Sequence, residues 1–207
     1  MIQGLTKVYS CPRCGKILTS RCLLIGNTLG SVLYSDGKRI SPMNPSFPDL
    51  TKCKGCDTIF FFSDLEEIGK YRFGEKLTPA WQDADEAEFL SIADYHRAIE
   101  SQDIADEKFL RVSLWRAYND RIRNEEVIFQ DILDEARWEN NLREFLTLLD
   151  INIVNERIVL AEVHRNLGEF DTCIRMITSI KDNSLDWLKD KFVEHCRIKD
   201  RWLMELN

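Results

Sequence analysis

The sequence predicts an α+β fold that is mostly α: a small β-rich head, then an antiparallel helical array. Three observations carry this. Eight of the nine glycines, four of the five prolines and five of the seven cysteines lie before residue 75. The short β-prone runs KVYS, SVLY and TIFFF fall in the same stretch. Beyond it, apolar residues recur at helical spacing, and residues 83–205 contain no proline. The expected domains are therefore 1–75 and 81–207, joined by GEKLTPAW at 74–81.

Within the head, Asp36-Gly37 in Tyr34–Lys38 predicts a hairpin turn, because this pair readily supplies the positive φ angles of a tight connection. SPMNPSFP at 41–48 holds three prolines and predicts an extended loop. Ser63-Asp-Leu-Glu66 has the pattern of a capping box and predicts a short helix.

In the body, SIADYHRAIES predicts a helix capped by Ser91. Residues 105–123 carry Phe109, Leu110, Val112, Leu114, Trp115 and Tyr118 as an apolar stripe. Residues 125–150 repeat the pattern with Ile128, Ile132, Leu133, Leu142, Phe145, Leu146 and Leu149. Residues 155–180 predict two helices around Gly168, and Ser184 is expected to cap a last one. About six or seven helices fit this length.

The net charge of −7 is uneven. Residues 1–80 hold 11 Lys and Arg against 7 Asp and Glu; residues 81–207 hold 17 against 28. A weakly basic head either complements the acidic body or meets a polyanion, and its charge is far below that of a dense nucleic-acid-binding stripe. No apolar run is long enough to span a membrane, and no secretory signal opens the chain. A cytoplasmic location is expected, where cysteines remain thiols or bind metal.

Four of the cysteines form two CxxC hooks, Cys11/Cys14 and Cys53/Cys56. Two intervening residues let a tight knuckle aim both sulfurs at one ion, and two knuckles complete a tetrahedron. One structural zinc held by Cys11, Cys14, Cys53 and Cys56 is the expectation; iron in the same sulfurs is the alternative. Two independent redox pairs would instead call for a strand-to-helix setting that neither hook has. Four thiolates leave no open position, so the site is expected to be structural rather than catalytic. A Gly- and Pro-rich head of this size buries little apolar surface, and metal offsets that deficit. Cys22 is either a spare thiol near the site or an apolar core residue, and Cys173 and Cys196 are expected in the core. His96, His164 and His195 lack the spacing of a second metal site. No P-loop, GxGxxG, GxSxG or HExxH is present, and no enzyme is expected.

AEVHRNLGEFDTCIRMI at 161–177 resembles the middle of a tetratricopeptide repeat, with Ala161 and Cys173 at the small positions, Gly168 at the turn and Phe170 at the aromatic position. Arg157 stands where the repeat often has Trp, and other segments do not keep a 34-residue register. CPRCG, LYSDGKRISPMNP, FPDLTKCKGC and LWRAYNDRIR extend the likeness: the chain is similar to bacterial proteins that join an N-terminal zinc ribbon to a tetratricopeptide-like region. That resemblance implies a fold but no activity.

The expected function is a non-enzymatic scaffold whose helices bind a protein or peptide. Arg111, Arg116, Asn119, Arg121 and Arg123 suit a carboxylate partner; alternatively they pair with neighbouring acids such as Glu107 and Glu125. The rival function is nucleic-acid binding through Lys38, Arg39, Lys52 and Lys54, with Tyr34 or Phe47 stacking.

Overall fold

The computed structural model describes residues 2–101, 104 and 106–206. The stretch expected to be helical from residue 105 thus begins on a residue outside the described ones. The chain is α+β, with its strands towards the N-terminus and its long helices towards the C-terminus.

The strands run β1 (Ile2–Gln3), β2 (Thr6–Ser10), β3 (Ile17–Ser20), β4 (Leu23–Ile25), β5 (Val32–Leu33), β6 (Arg39–Ile40), β7 (Leu50–Lys52), β8 (Ile59–Phe61), β9 (Glu67–Tyr71) and β10 (Asp85–Glu86). Among the described residues there are seven α-helices: α1 (Pro79–Gln82), α2 (Ile92–Ser101), α3 (Glu107–Arg123), α4 (Ile132–Thr147), α5 (Val154–Asn166), α6 (Phe170–Thr178) and α7 (Asp186–Arg197).

Two compact units form, and they are not the two contiguous stretches expected. The first is Met1–Ser31 with Ile40–Ile104; the second is Val32–Arg39 with Ala105–Asn207. The chain leaves the first unit between its two CxxC hooks, contributes a hairpin to the second, and returns.

In the first unit a four-stranded sheet runs in the order β10-β3-β2-β9, with β2 antiparallel to both neighbours and β10 parallel to β3. Alternation along β2 buries Thr6 and Val8 while Lys7 faces out. The capping-box pattern at Ser63–Glu66 does not start an α-helix. Phe62–Asp64 is one 3₁₀ turn, and the chain then extends into β9, where pairing with β2 supplies the backbone partners a helix would have supplied. The expected linker is also structured: α1 brings Trp81 onto Gly69 of β9, where a Cβ would lie 2.3 Å from Cη2 of the indole. Ser91 caps α2 as expected. Its Oγ accepts from Asp94 N–H (3.1 Å) while Asp94 accepts from Ser91 N–H (3.3 Å), a reciprocal box.

In the second unit the Asp36-Gly37 hairpin forms with a single left-handed residue, Gly37 (φ 75°). Gly37 N–H donates to Tyr34 O and Tyr34 N–H to Lys38 O, the pattern of a three-residue loop with a bulge. Residues 204–206 lie along the other side of this hairpin: Ser35 N–H donates to Met204 O and Leu206 N–H to Leu33 O. The stripe of α3 is buried through Leu110, Leu114, Trp115 and Tyr118. On α4 the burial falls on Trp138, Leu142 and Phe145, whereas Ile132 and Leu133 are 82% and 62% exposed. Ile132 and Leu133 of the expected stripe are therefore surface, and residues 125–131 are not helical. Ser184 does not cap α7; it sits in a 3₁₀ turn capped by Asp182, and α7 starts behind Leu185 without a side-chain cap.

Three helices end alike. Glu126 N–H reaches back to Arg121 O, Glu169 to His164 O and Asp200 to His195 O, with Glu125, Gly168 and Lys199 each in the left-handed conformation before them. This is the Schellman arrangement, built twice out of three without glycine. In two of the ends a histidine Nδ1 bonds the acid that follows, His164 with Glu169 (2.6 Å) and His195 with Asp200 (2.7 Å).

A buried polar network lies on α5. Glu162 accepts from Ser35 Oγ (2.6 Å) and from Arg165, and Arg165 also donates to the backbone oxygens of Asp200 and Trp202. Trp115 Nε1–H donates to Asn166 Oδ1. Each buried donor and acceptor named here thus has a partner, which is the condition for burying them at tolerable cost.

Candidate metal centre

Each CxxC hook is the connection of a β-hairpin. Cys11 and Cys14 lie between β2 and β3, Cys53 and Cys56 between β7 and β8. The two connections share one backbone pattern. Cys11 N–H donates to Lys16 O and Gly15 N–H to Cys11 O; Cys53 N–H donates to Thr58 O and Asp57 N–H to Cys53 O. The residue after the second cysteine is left-handed in both, Gly15 (φ 75°) and Asp57 (φ 56°). Gly55 therefore serves a different purpose. Its φ is ordinary, but a Cβ there would sit 3.0 Å from Lys16 Cδ and 3.4 Å from Cys14 Sγ. Its N–H points at Cys53 Sγ (3.3 Å).

The four sulfurs all lie within 4.8 Å of one another. Cys11 and Cys56 Sγ are 3.6 Å apart, Cys14 and Cys53 Sγ 3.5 Å. A tetrahedron with metal–sulfur bonds of about 2.3 Å has edges of about 3.8 Å, so this donor set fits one thiophilic ion. Among the described residues no other group of His, Cys, Asp and Glu gathers this way. Four thiolates around one ion fill a tetrahedral shell, so such a centre holds structure and offers no position for substrate.

The surroundings differ from one sulfur to another. Burial pushes the Cys53 thiol up to about 12. The Thr58 hydroxyl and N–H pull Cys56 down to about 6. Tyr9, Leu18, Phe60 and Phe62 pack behind the cysteines, and Lys16 beside them is paired with Asp85 at 2.8 Å. Cys22 is outside the cluster; its thiol donates to Leu5 O.

The five body residues proposed to meet a partner are bonded inside the second unit. Arg111 pairs with Glu107, as the i,i+4 alternative requires. Arg116 donates to Asp36 O, Asn119 to Asp36 Oδ2, and Arg123 to Asp36 and Asp120 while stacking over Tyr34. Arg121 donates to Asp134 and Ile128 O. Glu125 is none of their partners in these bonds; Asp36 and Asp134 take that place. Of the lysines considered for phosphate, Lys38 is bound to Asp120, Lys52 to Asp94 and Lys54 to Glu88.

Sequence reasoning did not single out Asp36 or Glu162. Asp36 was legible only as a turn residue, and Glu162 sits in the stretch matched to a repeat by its small and aromatic positions. No helix among the described residues is long and apolar enough to cross a membrane. Comparison of the chain with protein-family models, with curated proteins and with solved structures found no match.

Proposed function

We propose that the chain is a zinc-stabilised, non-enzymatic interaction protein, in which one zinc on Cys11, Cys14, Cys53 and Cys56 folds the first unit and the helical unit docks a protein or peptide. The observation that carries the metal half is the four-sulfur cluster at the tips of two hairpins. Zinc is favoured over iron because a closed thiolate tetrahedron with no redox demand is its ordinary structural use.

The docking half rests on the surface of α4. Val127, Ile132 and Leu133 are exposed aliphatic residues at or just before the start of that helix, and a partner covering them would remove apolar surface from water. Arg111, Arg116, Asn119, Arg121 and Arg123 already hold bonds within the second unit, which favours the aliphatic surface over them in this reading. The α5–α6 hairpin, with Ala161 and Cys173 buried and Gly168 left-handed at the turn, supports reading this segment as one tetratricopeptide-like unit.

Elemental analysis tests the first half: about one zinc per chain is expected, lost in Cys53→Ser/Cys56→Ser. Correctly folded protein with neither zinc nor iron would refute it. Affinity purification from the native cell with nuclease treatment tests the second. A protein recovered in stoichiometric amount should be lost with Ile132→Glu/Leu133→Glu; recovery unchanged in that variant, or recovery of nucleic acid alone, would refute this surface.

A further inference from the structure

The four sulfurs of the metal centre are not equally placed. Cys53 is 0% exposed and Cys11 2%, whereas Cys14 is an exposed residue at the tip of its hairpin. An oxidant arriving from water meets Cys14 before either of them. A metal-held sulfur is already a thiolate, and the thiolate is the nucleophile.

Short sulfur contacts run across the two hooks. Cys14 Sγ lies 3.5 Å from Cys53 Sγ, and Cys11 Sγ lies 3.6 Å from Cys56 Sγ. A disulfide brings its sulfurs to about 2.05 Å, so the two hairpin tips need only draw together. Each knuckle then keeps its own turn bonds, Gly15 N–H to Cys11 O and Asp57 N–H to Cys53 O. Sequence separation favours the same pairing. The two crossing links span 39 and 45 residues, and a link over a long loop removes more freedom from the unfolded chain than one closed inside a CxxC hook.

We propose that the centre is a redox switch, in which a hydroperoxide converts the four thiolates into two disulfides that cross between the hooks, Cys14–Cys53 first and Cys11–Cys56 second. The inference rests on the metal reading proposed above. In the first step the Cys14 sulfur attacks one peroxide oxygen. The S–O bond forms, the O–O bond breaks, and the departing oxygen takes a proton and leaves as water or alcohol. In the second step the Cys53 thiolate attacks the Cys14 sulfenic acid. The S–S bond forms, the S–O bond breaks, and the hydroxide takes a proton and leaves as water. Two thiolates are oxidised and one peroxide is reduced; a second peroxide does the same for Cys11 and Cys56. Each sulfur taken into a disulfide is lost as a thiolate ligand, so oxidation releases the ion. The covalent links then take over its task of joining the two hairpins. They hold together the segments that stack Tyr9 on Phe62, with ring centroids 4.8 Å apart.

The test uses the full chain, its metal content measured beforehand, titrated with hydrogen peroxide. Samples are denatured, alkylated and digested with trypsin without reduction. Arg13 and Lys54 lie inside the hooks, so each of the four cysteines leaves on its own peptide. Pairs joining Cys14 to Cys53 and Cys11 to Cys56 are expected, the first appearing while Cys11 and Cys56 are still alkylated. About one zinc per chain should pass to a chromophoric chelator in step with the first pair. A phosphine reductant with added zinc should restore thiols and metal together. Amides of β2 should stay protected from hydrogen exchange in the oxidised, metal-free chain and lose protection in the reduced, metal-free chain. Pairs within a hook, Cys11–Cys14 or Cys53–Cys56, would overturn the proposal. So would zinc retained while Cys22 is consumed, or β2 amides unprotected after oxidation. A chain that carried no metal before peroxide was added would refute the metal reading instead, and its cross-links, across or within the hooks, would still decide the pairing.

Discussion

Asp36 and Arg123 form an ion pair sealed from water, with side-chain exposures of 0% and 5%. The carboxylate also accepts from Asn119, while the backbone oxygen of Asp36 accepts from Arg116. Removing one member of a buried pair strands the other charge, which costs about 3–5 kcal/mol. Asp36→Ala should therefore lower the unfolding free energy of the helical unit by that amount in urea titrations followed by helical circular dichroism. A loss under about 1 kcal/mol would mean the pair behaves like an exposed one. For the same reason, residues 105–207 alone should be far less stable than the helical unit in the whole chain.

Acid should act through Asp134. Burial opposes its charge, yet bonds from Tyr118, the Gln130 N–H and Arg121 hold its carboxyl below the usual range. A depressed carboxyl contributes stability that is full above the unfolded value of about 3.9 and fades as pH falls through the lower folded value. Helical stability should thus drop below about pH 4, and Asp134→Asn should flatten that drop while lowering stability at pH 7. A slope identical in the variant would assign the acid sensitivity to other carboxylates.

Glu125 holds a left-handed conformation (φ 58°) at the end of α3 that costs an L-residue and suits glycine. Glu125→Gly should raise stability by about 0.5–1 kcal/mol. A thermal midpoint that falls would show the glutamate side chain contributing something beyond its backbone position.

Gly69→Ala should expel Trp81 from β9, since no backbone shift of a tenth of an ångström relieves a 2.3 Å approach to the indole. A red shift of tryptophan emission and a loss of about 1–3 kcal/mol are expected. Unchanged emission would place Trp81 elsewhere in solution.

Nucleic acid should not bind in a sequence-specific way at about 150 mM salt, where screening removes distant charges. Lys38, Lys52 and Lys54 would each have to abandon a carboxylate 2.6–2.8 Å away to reach phosphate. A fluorescence titration decides this; submicromolar affinity abolished by Lys52→Glu and Lys54→Glu would reverse the conclusion.

The metal centre was legible because its geometry is local. Two residues between cysteines and a left-handed residue after them build each knuckle, and only the meeting of the two hairpins is tertiary. The hairpin at Asp36-Gly37 was equally legible, but its destination was not, since Arg123 lies 87 residues away. Ile132 and Leu133 misled because helical spacing says which residues share a face, not whether that face is covered. Ser63–Glu66 misled because a cap pattern competes with strand pairing, and β2 supplied the stronger offer. The left-handed ends at Glu125 and Lys199 carry no glycine to announce them.

The three-way meeting of the Asp36 hairpin, α5 and residues 204–206 sets an order of events during synthesis. Ser35 accepts from the N–H of Met204 across 169 residues of chain. A ribosome makes about 5–20 residues per second, so this hairpin waits many seconds for its last partner. Its contacts are of the non-local kind that slow folding, because the loop entropy is lost before the contacts return anything. Helices can form as they emerge, but the bonds that Leu33 and Ser35 share with Met204 and Leu206 can close only after those residues are made. The helical unit therefore completes its hydrogen bonding late, however early its helices form.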